Sequence, residues 1–284
     1  MLGKAVYEHF ITNHHVRATD IRNLSSKIVW GHADVRNYNQ QQWNVREFSP
    51  NIIMNLAAET DLEYCEGHGT DALSTNAGGS AVMAALADRF GAKYVYISTA
   101  GIFDGSKDKF TEMDTPRPLS IYGKAKYYGE KTALATPRSL VVRPGWMMGG
   151  GPEYDKKFIN KIYKQLVAGV TELFVVPDKA GTPTYTNDLA KQIDMLVQED
   201  RCGVYNTTCL GATNRYEVAE EFVRLMGLED RVKVTAVPSA YFKNEYSAPR
   251  PASEVLDTTK LEESGLCVMR DWRAALAEYV REFP

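Results

Sequence analysis

The sequence is short of several features that mark common protein classes. Its 284 residues include four cysteines, without a Cys-X-X-Cys pair, and five histidines that lack the spacing of a metal site. No apolar run approaches the roughly 18 residues of a membrane-spanning helix. Lys and Arg number 33 against 36 Asp and Glu, so no basic excess indicates a nucleic-acid partner. These absences predict free thiols, no resident metal, no membrane segment, no nucleic-acid binding and a cytoplasmic protein.

Several catalytic signatures are also missing. The sequence has no Gly-X-Ser-X-Gly turn and no His-Glu-X-X-His helix, which excludes the common serine hydrolase and zinc protease motifs. Gly3-Lys4 does not continue into a phosphate-binding Walker motif, because Ala5 follows it. The composition is that of an ordinary globular protein, with 44% hydrophobic and 24% charged residues.

The first half of the chain alternates short apolar strands with helical stretches. Predicted strands cover residues 15–19, 27–30, 51–56, 93–98 and 140–143, and a helix covers 72–90. This alternation predicts an α/β fold, a Rossmann-like doubly wound parallel sheet with helices on both faces. Further along, we predict helices over 156–166, 187–198, 213–226 and 272–282, a loop over 178–185 and a strand over 203–207. We therefore predict a dinucleotide-binding part over 1–145, with 184–208 packed back on it, and a smaller mixed α/β substrate lobe over 146–284.

The chain begins where such a fold would already be in its first helix. Gly3 fits the third glycine of a phosphate-binding turn, the one that permits close packing of helix on strand; an incidental glycine in an ordinary helix is the alternative. The first strand and the two earlier glycines would then lie upstream of Met1. Because that strand is central in the common strand order, its loss would leave a gap in the sheet. We expect either a functional polypeptide longer by roughly 10–25 residues or weak cofactor binding.

Charged residues follow the next two predicted strands. Asp20 stands where a carboxylate would accept hydrogen bonds from the adenosine ribose, and Arg22 could pair with a 2′-phosphate, which leaves NAD and NADP both open. Asp34 and Val35 stand where the chain would contact adenine. Each of these positions also fits an ordinary polar loop.

A tyrosine and a lysine four residues apart supply candidate chemistry. Tyr122 and Lys126 share one face of a predicted helix, where a nearby ammonium favours the phenolate and lowers the pKa of the tyrosine. Thr99, or the serine before it, lies just past a strand and could hold the reacting oxygen. Tyr127 begins a second such pair, but it lies on another face, and only Tyr122 follows directly from the loop over 116–120.

Longer motifs resemble a known family. They are Asn55-Leu56-Ala57-Ala58-Glu59-Thr60, Asn76-Ala77-Gly78-Gly79, the stretch from Tyr96 to Gly105, Tyr122-Gly123-Lys124-Ala125-Lys126 with Gly129-Glu130, Gly181-Thr182-Pro183-Thr184-Tyr185, and Arg250-Pro251 in the tail. With these motifs the chain resembles an extended short-chain dehydrogenase/reductase, most closely the dTDP-4-dehydrorhamnose reductase branch. The resemblance runs through nearly the whole chain.

The resemblance implies a cofactor, NADP or NAD, that delivers hydride to the ketone of a nucleotide-sugar. It implies that Tyr122 protonates the nascent alkoxide, that Lys126 lowers the pKa of Tyr122 while binding the nicotinamide ribose, and that Thr99 assists at the reacting oxygen. Asn76 would brace the active-site helix, and a homodimer is the expected assembly. Leu56, Ala57 and Ala58, at the end of the predicted strand over 51–56, would line the cofactor.

The chain departs from the branch at positions expected to face substrate. The reductases usually have Asp-Tyr after the catalytic threonine, where this chain has Ala100-Gly101, a small pair similar to that of other extended family members, including epimerases. A 4,6-dehydratase would carry Asp-Glu there, so that activity is not expected. Trp146 follows Arg143-Pro144-Gly145 in a loop that also differs from the branch. The sugar is therefore less defined than the fold.

Arg250 is the candidate for binding the substrate diphosphate. A guanidinium fork matches phosphate geometry, and Lys156 or Lys157 would lie behind it; solvated charges are the alternative. Two other functions stay open beside the reductase. One is a sugar-nucleotide epimerase or related oxidoreductase, and the other is a non-catalytic cofactor-binding regulatory subunit, similar to the methionine adenosyltransferase beta subunit.

Overall fold

The computed structural model describes residues 1–22 and 30–284 as an α/β fold. Its α-helices are α1 (Leu2–Phe10), α2 (Tyr38–Phe48), α3 (Leu62–Gly67), α4 (Gly69–Leu73), α5 (Gly79–Phe90), α6 (Ile121–Leu134), α7 (Gly151–Tyr154), α8 (Phe158–Val167), α9 (Thr186–Gln198), α10 (Arg215–Leu225), α11 (Thr259–Glu263) and α12 (Trp272–Val280). The strands are β1 (Ala18–Asp20), β2 (Trp30–His32), β3 (Ile52–Asn55), β4 (Lys93–Ile97), β5 (Ser139–Arg143), β6 (Trp146–Met148), β7 (Glu172–Val175), β8 (Ala180–Gly181), β9 (Pro183–Tyr185), β10 (Gly203–Asn206), β11 (Thr213–Asn214) and β12 (Lys233–Ala236). A π-helical turn, Ser74–Gly78, joins α4 to α5, and 3-10 turns cover Ala100–Ile102 and Ser239–Phe242.

The main sheet has four parallel strands in the order β10-β5-β4-β3. A separate parallel ladder joins β1 to β2, and within the described residues no ladder links this pair to β3. The α/β fold with a parallel sheet is therefore confirmed, with the sheet in two pieces. The expectation about residues upstream of Met1 stays a prediction.

Side chains of β4 and β5 alternate between the two faces of the sheet, as strand geometry requires. Val95 and Leu140 belong to a core that α1 and α9 cover. Tyr94, Tyr96 and Val141 belong to a second core on the opposite face, covered by α5. Because both faces are covered, these strands are apolar almost throughout, which is why the sequence predicted them well.

The rest of the chain forms short ladders. Strand β6 pairs in parallel with β9, β7 pairs in parallel with β12, and β8 pairs antiparallel with β11. The predicted loop over 178–185 is wrong, because it contains β8 and β9. These strands have two and three residues and are rich in Gly, Pro and Thr, so they exist through their partners rather than through a local apolar pattern. In contrast, β10 adds to the main sheet beside β5.

Several predicted boundaries also needed correction. The first strand covers Ala18–Asp20 rather than 15–19, and most of the strand predicted over 27–30 lies outside the described residues. The helix predicted from Thr213 is instead capped by Asn214, whose side chain accepts a hydrogen bond from the Glu217 backbone N–H at 2.9 Å. Thr213 contributes differently, by donating its hydroxyl to the Glu217 carboxylate at 2.7 Å.

Candidate active site

The candidate site begins at the carboxyl end of β4 and the first turn of α6. Ser120 caps α6 by accepting a hydrogen bond from Gly123 N at 3.0 Å. The cap starts the helix directly before Tyr122, so Tyr122 and Lys126 lie one turn apart on the same face. Thr99 follows β4, and its hydroxyl lies beside Tyr122: a Cβ atom at Gly101 would be 3.5 Å from Thr99 Oγ1 and 3.7 Å from Tyr122 Cε1. The structure thus brings Thr99 and Tyr122 into contact at the end of the sheet where α/β enzymes bind ligands.

The pKa of Tyr122 moves in the direction opposite to the one expected from Lys126. Burial disfavours the phenolate and raises the pKa of Tyr122 to about 12, while the hydrogen bond from Thr99 acts to lower it and the charge of Glu254 raises it further. The lowering of this pKa by Lys126 stays a prediction for the complex with cofactor. At neutral pH Tyr122 is a phenol, the form that donates a proton.

Lys126 is buried as well. Its Nζ lies 4.3 Å from the centre of the Tyr96 ring. Burial lowers the pKa of Lys126 to about 7, against the opposing effect of the Glu130 charge. A lysine with this pKa is only partly charged at neutral pH, so it offers little stabilisation to a phenolate.

A buried ion pair joins α6, the helix that carries Tyr122 and Lys126, to β5. Glu130, one turn beyond Lys126 on α6, accepts two hydrogen bonds from the Arg143 guanidinium at 2.5 and 3.1 Å. Both side chains are almost completely buried. The pair joins α6 to the end of β5 and holds a negative charge on the face that carries Tyr122 and Lys126.

The donors of Lys126 fit a nicotinamide dinucleotide. An ammonium has three N–H donors, and the described residues offer Nζ the face of Tyr96 but no hydrogen-bond acceptor. Such donors suit the hydroxyls of a ribose. In the neighbouring stretch after β3, Ala57 is exposed while Leu56 and Ala58 are partly buried, and their contact with a cofactor stays a prediction.

That stretch is held by two asparagines. Asn55 Oδ1 accepts a hydrogen bond from Ala57 N at 3.1 Å. Asn76 accepts from Glu59 N at 2.8 Å and donates to Glu59 O at 2.9 Å. Asn76 was expected to brace the active-site helix. Its side chain holds this loop, while its carbonyl oxygen packs directly against Gly129 of α6, where a Cβ atom would come within 2.6 Å of it. The Tyr96 hydroxyl lies within hydrogen-bond distance of both this oxygen and Lys126 O.

The predicted adenosine-binding residues Asp20, Arg22, Asp34 and Val35 lie at or just after the ends of β1 and β2, in the ladder that is separate from the main sheet. Arg22 donates to both carboxylate oxygens of Asp20 at 3.1 Å, and Arg36 binds Asp34 in the same way at 2.8 to 3.0 Å. Val35 packs against Gly79, where even a methyl group would come within 2.7 Å of it. Gly3 lies in α1, whose Leu2, Ala5 and Val6 are buried in the core. Contact of these residues with a cofactor stays a prediction.

The opposite side of the site comes from the second half of the chain. Trp146 Nε1 donates a hydrogen bond to Glu254 Oε2 at 2.7 Å, and the Arg215 guanidinium lies 3.9 Å from the Trp146 ring centre. The other oxygen of Glu254 faces Gly101, beside Thr99 and Tyr122. The predicted substrate residues Gly101 and Trp146 are thus close to the catalytic residues, while Ala100 is buried in a 3-10 turn.

Arg250 and Lys157 have partners within the protein. Arg250 donates to Glu63 at 2.7 Å and to Ala248 O at 2.8 Å. Lys157 donates to the backbone and hydroxyl oxygens of Thr60 at 2.9 and 3.0 Å. Lys156 is exposed. Diphosphate binding by Arg250 stays a prediction. It requires the guanidinium to release Glu63, or to bind Glu63 and the diphosphate at the same time.

Glu254 and Arg215 were missed from the sequence. The available signal for Glu254 was its position three residues after the Arg250-Pro251 motif. The structure shows that its neighbours Ser253 and Val255 are buried. Arg215 carried none, because an arginine in the first turn of a helix is normally solvated. In the part of the chain described, no helix combines the length and apolarity needed to cross a membrane. Residues 1–22 and 30–284 also contain no cluster of three or more potential metal ligands, and the four cysteines are free.

Comparisons with known proteins agree with this architecture. The chain is 35% identical over 237 residues to the spore coat polysaccharide biosynthesis protein SpsK of Bacillus subtilis, covering 83% of this chain and 80% of that protein. It is 30% identical to dTDP-4-dehydrorhamnose reductase of Aggregatibacter actinomycetemcomitans, covering 97% of this chain and 93% of the relative.

Solved structures extend the likeness. A dTDP-4-dehydrorhamnose reductase from Clostridium acetobutylicum has a TM-score of 0.86 at 32% identity, and the one from Bacillus anthracis in complex with NADP has a TM-score of 0.86 at 28% identity. Each comparison covers 99% of this chain and 95% of the other. The family model described as RmlD substrate binding domain matches residues 1–284. The chain therefore belongs to the RmlD family of extended short-chain dehydrogenase/reductases, as its motifs indicated.

Proposed function

We propose that this protein is an NAD(P)H-dependent reductase of a nucleotide-linked 4-keto-deoxysugar, of the dTDP-4-dehydrorhamnose type. The observation that carries the proposal is the close placement of Thr99 and Tyr122 at the carboxyl end of β4, one helical turn from the buried Lys126. Family membership and the named reductase relatives support the same activity. The NADP complex of a relative supports the cofactor.

The chain's own residues divide the work as follows. When bound, the nicotinamide supplies the hydride. Tyr122 is a phenol at neutral pH and donates its proton to the oxygen that becomes an alkoxide. Thr99 lies beside Tyr122 and assists at the reacting oxygen, and a hydrogen bond from Gly101 N to Thr99 Oγ1 at 3.1 Å orients the threonine. Lys126 would bind the ribose through its free donors, and gaining an acidic or hydroxyl partner there would raise its pKa again.

The raised pKa of Tyr122 suits reduction rather than oxidation. An alcohol oxidation needs a base and therefore a phenolate, whose formation is disfavoured in this buried site. A ketone reduction needs an acid, and the phenol is already in that state.

Several finer expectations belong to the same proposal. Residues 1–145 would bind the cofactor and 146–284 the substrate, and the pairing of β10 with β5 supports placing 184–208 with the first part. The adenosine contacts of Asp20, Arg22, Asp34 and Val35, a homodimer and a cytoplasmic location are part of it as well.

The test is an assay of NADPH and NADH oxidation against dTDP-, GDP- and UDP-linked 4-keto-sugars. We expect turnover with a dTDP-4-keto-6-deoxysugar and formation of the corresponding alcohol. Oxidation of neither cofactor with any of these sugars would contradict the proposal and favour a regulatory role. A change of sugar configuration without net cofactor oxidation would instead identify an epimerase.

A further inference from the structure

The backbone around Glu254 is fixed on two sides. Glu254 N donates to Ala180 O at 2.9 Å, and Ala180 N donates to Ala252 O at 2.9 Å. On the other side, Phe110 N donates to Val255 O at 2.9 Å. The side chain therefore extends toward the catalytic residues from a backbone that hydrogen bonds hold in place.

The Glu254 carboxylate is also oriented. Its Oε2 accepts the indole N–H of Trp146 at 2.7 Å. One edge of that indole lies against Gly181, where a Cβ atom would come within 2.2 Å of the ring, so only glycine permits this packing. The Arg215 guanidinium covers the ring at 3.9 Å, and it also lies 4.7 Å from the centre of the Phe158 ring. The indole is thus held in the orientation that its hydrogen bond to Glu254 needs.

The second oxygen of Glu254 faces the catalytic residues. A Cβ atom at Gly101 would lie 3.3 Å from Glu254 Oε1, 3.5 Å from Thr99 Oγ1 and 3.7 Å from Tyr122 Cε1. These three atoms are therefore neighbours around Gly101, and the absence of a side chain at this position lets them approach one another. Within the described residues, Oε1 accepts no hydrogen bond, although a carboxylate oxygen readily accepts one.

Arg215 balances the charge of Glu254. In the described part of the chain its guanidinium makes no hydrogen bond or ion pair, and its contacts are the Trp146 and Phe158 rings. It is nevertheless close enough to Glu254 for the two charges to interact. The positive charge of Arg215 therefore offsets the negative charge of Glu254. Because the two residues form no direct salt bridge, Oε1 stays available to a ligand.

We propose that Glu254 is a specificity-determining residue, whose Oε1 accepts a hydrogen bond from the sugar hydroxyl on the carbon next to the ketone. Arg215 and Trp146 are the positioning residues for this contact. An ionised carboxylate only accepts hydrogen bonds, so the sugar must offer a donor there. A sugar without that hydroxyl covers Oε1 without offering it a donor, which disfavours the transition state of that sugar. This inference rests on the proposed reductase function.

The experiment compares two substrates and three variants of the full chain, with NADPH saturating. The substrates are a dTDP-4-keto-6-deoxysugar that carries the C3 hydroxyl and its 3-deoxy counterpart. The variants are Glu254→Gln, Glu254→Ala and, as a control, Glu229→Gln at an exposed glutamate. For the wild type we expect kcat/KM to fall about a hundredfold or more when the hydroxyl is missing. With the hydroxyl-bearing sugar we expect kcat/KM to fall about ten- to hundredfold for Glu254→Ala and less for Glu254→Gln, whose amide oxygen still accepts a hydrogen bond. With the deoxy sugar kcat/KM should stay the same or rise in both variants, because no carboxylate is left unpaired.

The outcomes separate this inference from the proposed function. A wild type that reduces the sugar, with Glu254 variants that keep the wild-type ratio between the two substrates, overturns the role of Glu254 alone. A wild type that reduces neither sugar overturns both. The NADPH dissociation constant and the unfolding temperature of Glu254→Gln should match those of the control, and a loss shared equally by both substrates would indicate a structural role and overturn the inference. The Gln variant keeps the test valid if Glu254→Ala fails to fold.

Discussion

The two sides of the candidate site are built in different ways. The side proposed to be catalytic consists of Thr99, which follows β4, and of Tyr122 and Lys126 in α6. These residues come from two stretches that are close in the sequence. The lobe side takes Trp146, Arg215 and Glu254 from three distant stretches, held together by one hydrogen bond and one stacked cation. In the proposed reductase, proton transfer would therefore depend on a local motif, whereas the choice of sugar would depend on tertiary packing.

The sharpest way to separate the two sides is to remove the proton donor. Tyr122→Phe should lower kcat by about 10²- to 10⁴-fold, because it removes the general acid and leaves the fold in place. The loss should be the same with the hydroxyl-bearing and the 3-deoxy sugar, in contrast to a Glu254 variant. Tyr127→Phe on the same helix is the control and should keep wild-type kcat. Steady-state assays in which Tyr122→Phe kept kcat within a few-fold of the wild type would contradict the assignment.

The contribution of the buried Glu130–Arg143 pair, which joins α6 to β5, can be tested by measuring the free energy of unfolding. Glu130→Gln should lower the free energy of unfolding by about 3–5 kcal/mol, since it leaves Arg143 buried without its counter-charge. Denaturant titration measures this change. Glu221→Gln breaks the exposed pair with Arg224 and should cost less than about 1 kcal/mol. Equal effects of the two substitutions would show that the buried pair does not support α6.

A smaller effect follows from the pKa of Lys126. Burial lowers this pKa from its ordinary value of 10.5 to about 7. Between these pH values the unfolded chain binds more protons at this site than the folded one, so stability rises with pH. The free energy of unfolding of the wild type, relative to Lys126→Met, should therefore rise from pH 7 to pH 9.5 in the absence of cofactor. A constant difference over this range would show that burial does not perturb Lys126.

The mildest change should leave both sides of the site intact. Arg22→Ala removes the cation next to Asp20 and should raise the KM for NADPH about tenfold, through loss of a charged hydrogen bond to the 2′-phosphate. The KM for NADH should stay the same or fall, because Asp20 becomes free to accept ribose hydroxyls. Preference between the two sugars should not change. An equal rise in KM for both cofactors would place Arg22 outside the 2′-phosphate site.

Much of the catalytic side was predictable because its signals are local. The i,i+4 spacing of Tyr122 and Lys126 and the apolar run of β4 do not depend on distant residues. The direction of the Tyr122 pKa was not predictable, because it depends on how deeply Tyr122 and Lys126 are buried. Glu254 and Arg215 were missed for a related reason: their meaning comes from Trp146 and Gly101, which only the tertiary fold brings close. The short strands β8 and β9 likewise exist through their partners.

The most direct test of the account follows hydrogen from cofactor to sugar. The protein would be mixed with a dTDP-4-keto-6-deoxysugar and NADPH deuterated at the transferable position of the nicotinamide, and the product analysed by mass spectrometry and NMR. We predict one deuterium on the carbon that carried the ketone, with one NADPH oxidised for each alcohol formed. Product without deuterium at that carbon, or no oxidation of NADPH, would contradict a reductase that depends on Thr99, Tyr122 and Lys126.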